Sequence, residues 1–432
     1  MDRLTAAQAA ARLGVRTETL YAYVSRGLIA RERGSHGSAF DPLEVERFAR
    51  TRRRSTSPSH GGARVAGADG SPLAVIDTDI ALIEDDELWI RGVPVQELIA
   101  APGEPPQFDA VVRWLFERTE HPRAAPHPLV SAGAEAARRM LDALPPGAGA
   151  FSRLLAAVAA LAAGDPERYD LRPEAVGRVA TRLVAGLVDA LAPIGDAPGS
   201  EAPVAERLWA RLSGLPADSG RIRMLDAALI LLVDHDMAAS TLAARAAASA
   251  RAHPYAVVAA GLGALDSALH GAVSASVHAM LRDVQQGTDP AAAVAAATRR
   301  SNAGIPGFGQ PLYPGGDPRA RALRDRMAAL GDARADAALR IAAEVGDVVR
   351  ERTGLLPTID LMLAVMTVAG DMAPDAGETV FAIARSAGWC AHALDEYGRA
   401  PLRLRPIGRY VGPDPADVQR ASSNARYAEE MR

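Results

Sequence analysis

The sequence predicts a mainly α-helical protein with more than one domain. Across most of its 432 residues, apolar side chains recur at intervals of three and four, which is the spacing of an amphipathic helix. Only two segments, 74–83 and 87–91, have the composition of strands. Residues 55–72 are rich in Ser, Gly and Pro and predict a flexible linker between a small N-terminal unit and a large body.

The N-terminal unit, residues 1–54, differs from the rest of the chain in charge. It has eleven arginines and six acidic residues, so it carries a net charge of +5 in a chain whose overall charge is −4. The overall charge therefore gives no general attraction to nucleic acid. The positive charge of the N-terminal unit, taken by itself, does attract nucleic acid.

Capping signals divide this unit into three helices. Thr5 is placed to cap a first helix and Thr17 a second one, with only a short turn between them, as in a helix-turn-helix. Asp41, followed by a proline and by a glutamate at the third helical position, predicts the start of a third helix. The loop 34–38 before it is a candidate wing.

From about residue 73 onward the periodicity is helical almost throughout. The clearest segments are 110–118, 128–144, 150–163, 173–192, 224–233 and 337–352.

The composition also indicates the compartment. A single cysteine, Cys390, excludes an internal disulfide and is expected to be a small buried residue in a reducing environment. The sequence shows no signal peptide and no uncharged apolar run of about 18 residues, the length a membrane helix needs. We therefore expect a cytoplasmic protein that does not bind membranes.

The stretch LTAAQAAARLGVRTETLYAYVSRGLI resembles the winged helix-turn-helix of the MerR and excisionase type. This resemblance implies DNA binding through a helix in the major groove. The residues on or beside that helix would be Arg16, Thr17, Thr19, Tyr21 and Tyr23. The alternative is a small helical module that docks to protein.

The most informative part of the body is residues 233–271, which carry His235 and His270 at the two ends of an alanine-rich run. Because small residues let helices approach closely, we expect both imidazoles near a packed interface. The run, VDHDMAAST followed by GALDSALHG, resembles the citrate synthase family, in which these segments look like "DHELNAST" and "GALxGPLHGGAN".

Further motifs follow in the family's order. Ile305 and the residues Pro306, Gly307, Phe308 and Gly309 resemble the "PGFGH" loop that approaches coenzyme A, and LLPTIDLML resembles the "PNVDF" motif.

Enzymes of this family join acetyl-CoA to oxaloacetate, so the resemblance implies the same reaction for this chain. His270 would then donate to the thioester oxygen as the enol forms, Asp360 would remove the methyl proton, and His235 would contact oxaloacetate. Without the surrounding motifs, Asp360 would be interpreted as an ordinary aspartate at a helix start, and His235 would be interpreted as a core histidine.

Three arginines match the family's substrate clamp: Arg319 in GDPRA, Arg385 in FAIARSAGW and Arg405 in LRP. A guanidinium pairs with a carboxylate through two hydrogen bonds and stays charged when buried. The alternative for each arginine is a surface ion pair. This alternative is weakest for Arg385, because its neighbours in the sequence are apolar. In the family the third arginine reaches into the partner subunit, so the resemblance implies a homodimer completed by Arg405.

The motif is interrupted at one catalytic position. The family continues its loop as "GHRVYK", whereas this chain has Gln310 where the histidine stands, and prolines at 311 and 314. A glutamine amide donates a hydrogen bond but does not transfer a proton near neutral pH. The family asparagines of the two histidine motifs are Ala238 and Ser274 here.

The resemblance covers residues 73–432 and implies a large helical domain, 73–273 and 371–432, with a small domain, 274–370, hinged over the cleft. Two functions remain open. One is an acyltransferase of the citrate synthase type, using an acyl-CoA and oxaloacetate or a related 2-oxo acid as substrates, without another cofactor or a metal, and attenuated by Gln310. The other is a catalytically degenerate ligand sensor that acts through the N-terminal DNA-binding unit.

Overall fold

The structure, a computed structural model, is mainly helical, as predicted, with two small antiparallel sheets. It describes residues 3–34, 37–56, 75–100, 108–117, 119, 121–122, 128–267, 270–271, 273–301, 304–406 and 411–412.

The N-terminal unit combines three helices with a three-stranded sheet around its own apolar core. Its elements are β1 (Leu4–Thr5), α1 (Ala6–Arg12), α2 (Thr17–Ser25), β2 (Glu32–Gly34), β3 (Gly37–Phe40) and α3 (Pro42–Thr56). Strand β3 lies in the middle of the sheet, antiparallel to both β1 and β2. The β2–β3 hairpin therefore occupies the position predicted for a wing.

Two of the three predicted caps are present. The Thr5 side chain accepts from the backbone of Gln8 and receives the reciprocal capping-box bond, and Asp41 Oδ1 accepts from the Leu43 amide at 2.9 Å. The prediction for Thr17 is wrong, because Arg16 takes the extended conformation of the cap position and Thr17 is the first helical residue.

The body begins with a small sheet and continues with fifteen described α-helices. The sheet contains β4 (Ala81–Glu84), β5 (Glu87–Ile90) and β6 (Val93–Pro94), paired in that order. No helix among the described residues combines the length and the apolar character needed to cross a membrane. The helices are α4 (Glu97–Ala100), α5 (Phe108–Glu117), α6 (Ala134–Asp142), α7 (Ala150–Gly164), α8 (Pro173–Ala190), α9 (Val204–Leu212), α10 (Ser219–Leu232), α11 (Ala239–Ser249), α12 (Pro254–Leu265), α13 (Ser274–Gln285), α14 (Pro290–Arg300), α15 (Pro318–Ala328), α16 (Ala333–Thr353), α17 (Ile359–Ala369) and α18 (Ala376–Tyr397), with a 3₁₀ helix at Pro166–Tyr169.

The predicted elements exist, and most differences lie at their ends. The helix expected from residue 128 begins only at Ala134, because Gly133 takes a left-handed conformation with φ of 77°. Of the strand predicted over 74–83, the described residues 75–83 form a strand only from Ala81 onward, where β4 begins. The predicted linker 55–72 overlaps the end of α3, and its remainder, 57–72, lies outside the described residues.

Helix α18 is the central element of the body. Almost all of its side chains are buried, including Cys390, as predicted, and it packs against α7, α8, α10, α11 and α12. At Gly388 a side chain is sterically excluded, because a Cβ there would lie 2.2 Å from the Val233 carbonyl oxygen. This contact brings α18 directly against the turn that follows α10.

The N-terminal unit docks on the body through α3, which contacts α14 and α16. Arg12 donates to the Thr298 carbonyl at 2.8 Å and to the carbonyl of Ser301, where α14 ends. Arg50 donates to the Thr353 carbonyl at 2.9 Å, at the end of α16. Helix α2 makes its main contacts with α1, so docking leaves its outer face uncovered.

Helix α11 begins without a side-chain cap, because Ala238 occupies the cap position with φ of −56° and ψ of 158°. We predict that Ala238→Asn raises the free energy of unfolding by about 0.5–2 kcal/mol, since the amide oxygen can accept from an otherwise unpaired amide of the first turn. Guanidinium chloride unfolding measures the change. Ala239→Asn, which places the same side chain one residue inside the helix, is the control. Equal shifts for both variants would contradict the capping explanation.

Candidate functional site

His235 lies in the tight turn between α10 and α11. Its neighbour Asp234 is fully buried, and Asp234 Oδ1 accepts from the Asp236 amide at 3.0 Å while Oδ2 lies 3.1 Å from His392 Nε2. Asp236 has a φ of 53°, an uncommon conformation for a non-glycine residue and a typical feature of constrained functional turns. The backbone is therefore fixed on both sides of the imidazole.

Arg385 is the most unusual side chain of the site. It is fully buried on α18, and its Nε donates to the Leu232 carbonyl at 2.8 Å. Its two terminal nitrogens, Nη1 and Nη2, have no hydrogen-bond partner among the described residues. Burial lowers the pKa of this guanidinium to about 10, although the charge of Asp234 opposes that shift. The group stays charged near neutral pH, with two donors available to a ligand.

Arg319 lies at the start of α15 and is nearly fully buried. Its Nε and Nη2 donate to the two carboxylate oxygens of Asp317 at 2.9 and 2.8 Å. Burial disfavours its charge, but Asp317 outweighs that effect and raises the pKa of Arg319. Asp317 also accepts from the Ile359 amide at 3.0 Å, which joins the start of α15 to the start of α17.

Asp360 is in the first turn of α17 and partly buried. The Thr358 hydroxyl donates to its Oδ2 at 3.3 Å. Burial raises the pKa of Asp360 to about 6, and Asp317 adds to that shift while Arg319 opposes it. A carboxylate with this pKa is ionised at neutral pH and is a stronger base than an exposed aspartate.

His270 shares a hydrogen bond of 2.7 Å between its Nε2 and the Ser240 hydroxyl. Its ring lies edge-on to Phe381, with 6.1 Å between the ring centroids. Burial, and secondly the charge of Arg385, lower the pKa of His270 to about 4. The imidazole is therefore neutral at pH 7 and suited to donate a hydrogen bond.

Tyr313 is a site residue that the sequence reasoning missed. Its hydroxyl lies 2.9 Å from Nε2 of His235, and the two rings meet nearly edge to face. Burial, followed by the charges of Arg319 and Arg385, lowers the pKa of His235 well below its usual value, and burial raises the pKa of the Tyr313 phenol. Both groups are thus neutral near pH 7. The one signal in the sequence was the match of Tyr313 to the tyrosine of "GHRVYK".

The glycine-rich loop is tied to the segment that carries Asp360. The Gly309 amide donates to the Leu356 carbonyl at 2.9 Å, and the Thr358 amide donates to the Gly307 carbonyl at 2.9 Å. Gly307 and Gly309 both have positive φ, so the loop has a shape that other residues rarely adopt. Phe308 pairs with Pro357 in an isolated bridge.

Gln310 follows this loop and is partly exposed. Its Oε1 accepts from the Leu312 amide at 3.4 Å, and its carbonyl accepts from the Tyr313 amide at 3.1 Å. The turn that these contacts close brings Tyr313 back toward the body.

Together these residues form a cationic cradle, which we define as Arg319, Arg385, His235, His270, Tyr313 and Asp360. Their charges act on one another: Arg385 lowers the pKa of both histidines, and Arg319 opposes the raised pKa of Asp360. Arg405, in contrast, is exposed within the single chain. Among the described residues no group of His, Cys, Asp or Glu is arranged to hold a metal ion.

The residues predicted to contact DNA lie in the separate N-terminal unit. Arg16 and Tyr21 are exposed, and the Tyr21 hydroxyl donates to Ser38 on β3 at 3.2 Å. Thr17 and Thr19 are partly exposed. Tyr23 packs instead against Phe48, at 5.0 Å between ring centroids, beneath the guanidinium of Arg52.

Comparisons of the sequence agree on one family. The family model for the citrate synthase C-terminal domain matches residues 70–409. Citrate synthase 2 of Bacillus subtilis is 30% identical over 273 residues, which cover 61% of this chain and 73% of that protein. Citrate synthase of Haloferax volcanii is 34% identical over 189 residues, covering 43% of this chain and 49% of that protein. 2-Methylcitrate synthase 2 of Corynebacterium glutamicum is 29% identical over 229 residues, covering 51% and 59%.

Solved structures give the same fold. Citrate synthase from Thermoplasma acidophilum, in a ternary complex with carboxymethyl coenzyme A and oxaloacetate, superposes with a TM-score of 0.63 at 23% identity, covering 79% of this chain and 95% of that chain. Citrate synthase from Thermotoga maritima gives a TM-score of 0.60 at 24% identity, covering 79% and 94%.

The raised pKa of Asp360 predicts a stability effect. The folded carboxyl has a pKa of about 6, against 3.8 for an ordinary aspartate, so the folded state binds more protons between these values and becomes less stable as the pH rises through them. Asp360→Asn should therefore raise the free energy of unfolding at neutral pH by about 1–2 kcal/mol, allowing for partial exposure.

Chemical unfolding at several pH values measures this effect, and the gain should vanish below the ordinary aspartate pKa of 3.8. Asp347→Asn, at an exposed aspartate of α16, is the control. A gain that is the same at every pH would show that the carboxyl of Asp360 is not perturbed.

Proposed function

Because the chain belongs to the citrate synthase family, we propose that it condenses acetyl-CoA, or another short acyl-CoA, with oxaloacetate or a related 2-oxo acid. The observation that carries this proposal is the buried guanidinium of Arg385, whose two terminal nitrogens have no hydrogen-bond partner among the described residues. Such a group is costly unless a ligand pairs with it, and a carboxylate matches its two donors.

The rest of the cradle supplies the chemistry of a condensation. Asp360, with its raised pKa, is the base that removes a proton from the acyl methyl group. His270 is neutral and donates to the thioester oxygen as negative charge develops there. His235 and Arg319 contact the 2-oxo acid together with Arg385. The glycine-rich loop, Pro306 to Gly309, approaches the coenzyme.

The proposal includes a second copy of the chain and a hinged small domain. Arg405 is exposed in one chain, so it is free to enter the site of a partner, as the family resemblance implies. The domain division at 274–370 places α13 to α17 in the small domain, whose closure would exclude water before the enolate forms.

Release of free thiol in the presence of acetyl-CoA and oxaloacetate tests the activity, because water hydrolyses the thioester of the condensed product and the coenzyme leaves as the thiol. We predict that Asp360→Asn lowers kcat by a factor of about 10²–10⁴, since it removes the base. Its fold is checked by the unfolding experiment above, where it is expected to gain stability.

Arg385→Gln should instead raise KM for oxaloacetate at least about tenfold, because it removes hydrogen bonds of about 1.5–3 kcal/mol to a charged partner. Arg324→Gln, at an exposed arginine of α15, is the matched control. Turnover by wild type that survives Asp360→Asn would contradict the assigned base. If wild type has no turnover, the condensing activity itself is refuted.

The docking of the N-terminal unit favours a second candidate, a ligand sensor that binds DNA. Arg12 donates hydrogen bonds to the carbonyls of Thr298 and Ser301, and Arg50 donates to the carbonyl of Thr353. These are the ends of the two segments that lead to the glycine-rich loop and to Asp360. A ligand that shifts either segment would therefore change the contacts of the N-terminal unit.

The sensor predicts salt-sensitive binding of a fluorescein-labelled random-sequence duplex, measured by anisotropy, since cationic side chains displace counterions from the phosphates. Arg16→Gln should weaken this binding, and oxaloacetate should change it. Arg12→Gln combined with Arg50→Gln should abolish the effect of oxaloacetate on DNA affinity while oxaloacetate still binds. Arg324→Gln serves again as the control. Binding that is insensitive to both salt and Arg16→Gln would favour protein docking over DNA.

A further inference from the structure

Tyr313 is the one member of the cradle to which the proposed condensation has not yet assigned a role. It is 3% exposed, and its hydroxyl is fixed 2.9 Å from His235 Nε2. The guanidinium carbon of Arg319 lies 5.6 Å from the centre of its ring. The phenol is therefore held among the groups that face the 2-oxo acid.

The condensation requires a proton donor that the other groups do not supply. When the acyl carbon attacks the ketone, negative charge develops on the ketone oxygen. Gln310 cannot release a proton, and the pKa of Arg319 is raised by Asp317. The two terminal donors of Arg385 pair with the carboxylate of the ligand in the proposed complex, which favours the charged form of the guanidinium. In this mechanism Asp360 already carries the proton taken from the methyl group, and His270 donates its hydrogen bond to the thioester oxygen.

We propose that Tyr313 is a catalytic residue that donates its phenolic proton to the ketone oxygen of the 2-oxo acid. This inference rests on the proposed condensing function. It requires the tautomer in which His235 Nε2–H donates to the Tyr313 oxygen, so that the phenolic proton is free to point at the substrate. Because burial holds His235 in its neutral form, that tautomer is accessible.

The proposed step balances without another reactant. The C=C π electrons of the enolate form the new carbon–carbon bond, and the thioester carbonyl is regenerated. The π electrons of the ketone move to its oxygen, and that oxygen takes the proton of Tyr313. The phenolate that remains is stabilised by the N–H of His235 and by the charges of Arg319 and Arg385. Water returns a proton to the phenolate, and Asp360 releases the methyl proton to water.

Burial raises the pKa of Tyr313, which makes it a weaker acid. The transfer nevertheless remains favourable, because the alkoxide of a tertiary alcohol is a stronger base than a phenolate. Arg319 and Arg385 both oppose the raised pKa of Tyr313, and so favour the phenolate.

The test is Tyr313→Phe, which removes the hydroxyl and keeps the ring. We expect kcat to fall by a factor of about 10²–10⁴ with KM for oxaloacetate within about threefold of wild type. Tyr255→Phe is the matched control, because Tyr255 is 2% exposed and donates to Asp165 at 2.8 Å, outside the cradle. It should leave kcat unchanged.

A rescue experiment separates catalysis from structure. Adding Gln310→His to Tyr313→Phe supplies a group that can transfer a proton, so kcat should recover by at least about tenfold. If Tyr313→Phe keeps the kcat of wild type, the inference is wrong. A loss of kcat that Gln310→His fails to restore assigns Tyr313 a structural role instead.

The infrared stretching frequency of the ketone in bound oxaloacetate gives a readout that does not depend on turnover. A hydrogen bond from Tyr313 weakens the C=O bond, so the frequency should be higher in Tyr313→Phe than in wild type. Equal frequencies would overturn the inference even if wild type is active. A wild type that binds oxaloacetate with the lowered frequency but has no turnover would refute the condensing function and leave the Tyr313 contact standing.

Discussion

The burial of positive charge in a mostly apolar helical body is the constraint on which the site depends. Arg385 is fully buried and Arg319 almost so, and a buried charge without a partner costs several kcal/mol. Asp317 offsets the charge of Arg319 through two hydrogen bonds, whereas the charge of Arg385 is offset only in part. Among the described residues the terminal nitrogens of Arg385 have no hydrogen-bond partner, and this is the electrostatic basis of the proposal that the site binds a small acid.

The carboxylate of Asp234 partly offsets the buried charge of Arg385. This carboxylate is buried, favours the charged form of Arg385, and lies 3.1 Å from His392 Nε2. His392 Nδ1 accepts from Arg245 at 2.9 Å, so its Nε2 carries the proton and donates to Asp234. Arg245 in turn pairs with Glu396 at 3.0 Å. A chain of alternating charges therefore crosses the core from the site to the end of α18, and it fixes the turn that carries His235.

The sequence was a good guide to the helices because their apolar periodicity is a local property. By motif it also predicted five of the six cradle residues as site residues, whereas their convergence depends on long-range packing such as Gly388 against the Val233 carbonyl. Tyr313 matches the tyrosine of the same loop motif, but it was not assigned a role, because an aromatic residue in a loop cannot be told from a core residue until its hydroxyl is seen against His235. The cap at Thr17 failed because cap and first helical position differ only in the backbone angles of adjacent residues.

No local pattern predicted the docking of the N-terminal unit, because arginine-to-carbonyl bonds have no sequence signature. Arg12 and Arg50 bind carbonyl oxygens at the ends of α14 and α16, where the last carbonyls of a helix lack internal partners and carry partial negative charge. The same two helix ends lead into the glycine-rich loop and the segment of Asp360, which are themselves paired through Gly307 and Thr358. The two proposed functions therefore rest on the same two helix ends. If the substrate of the proposed enzyme shifts this loop, the contacts of Arg12 and Arg50 with these helix ends shift with it. The two proposals are therefore compatible in one chain, because the contacts do not depend on turnover.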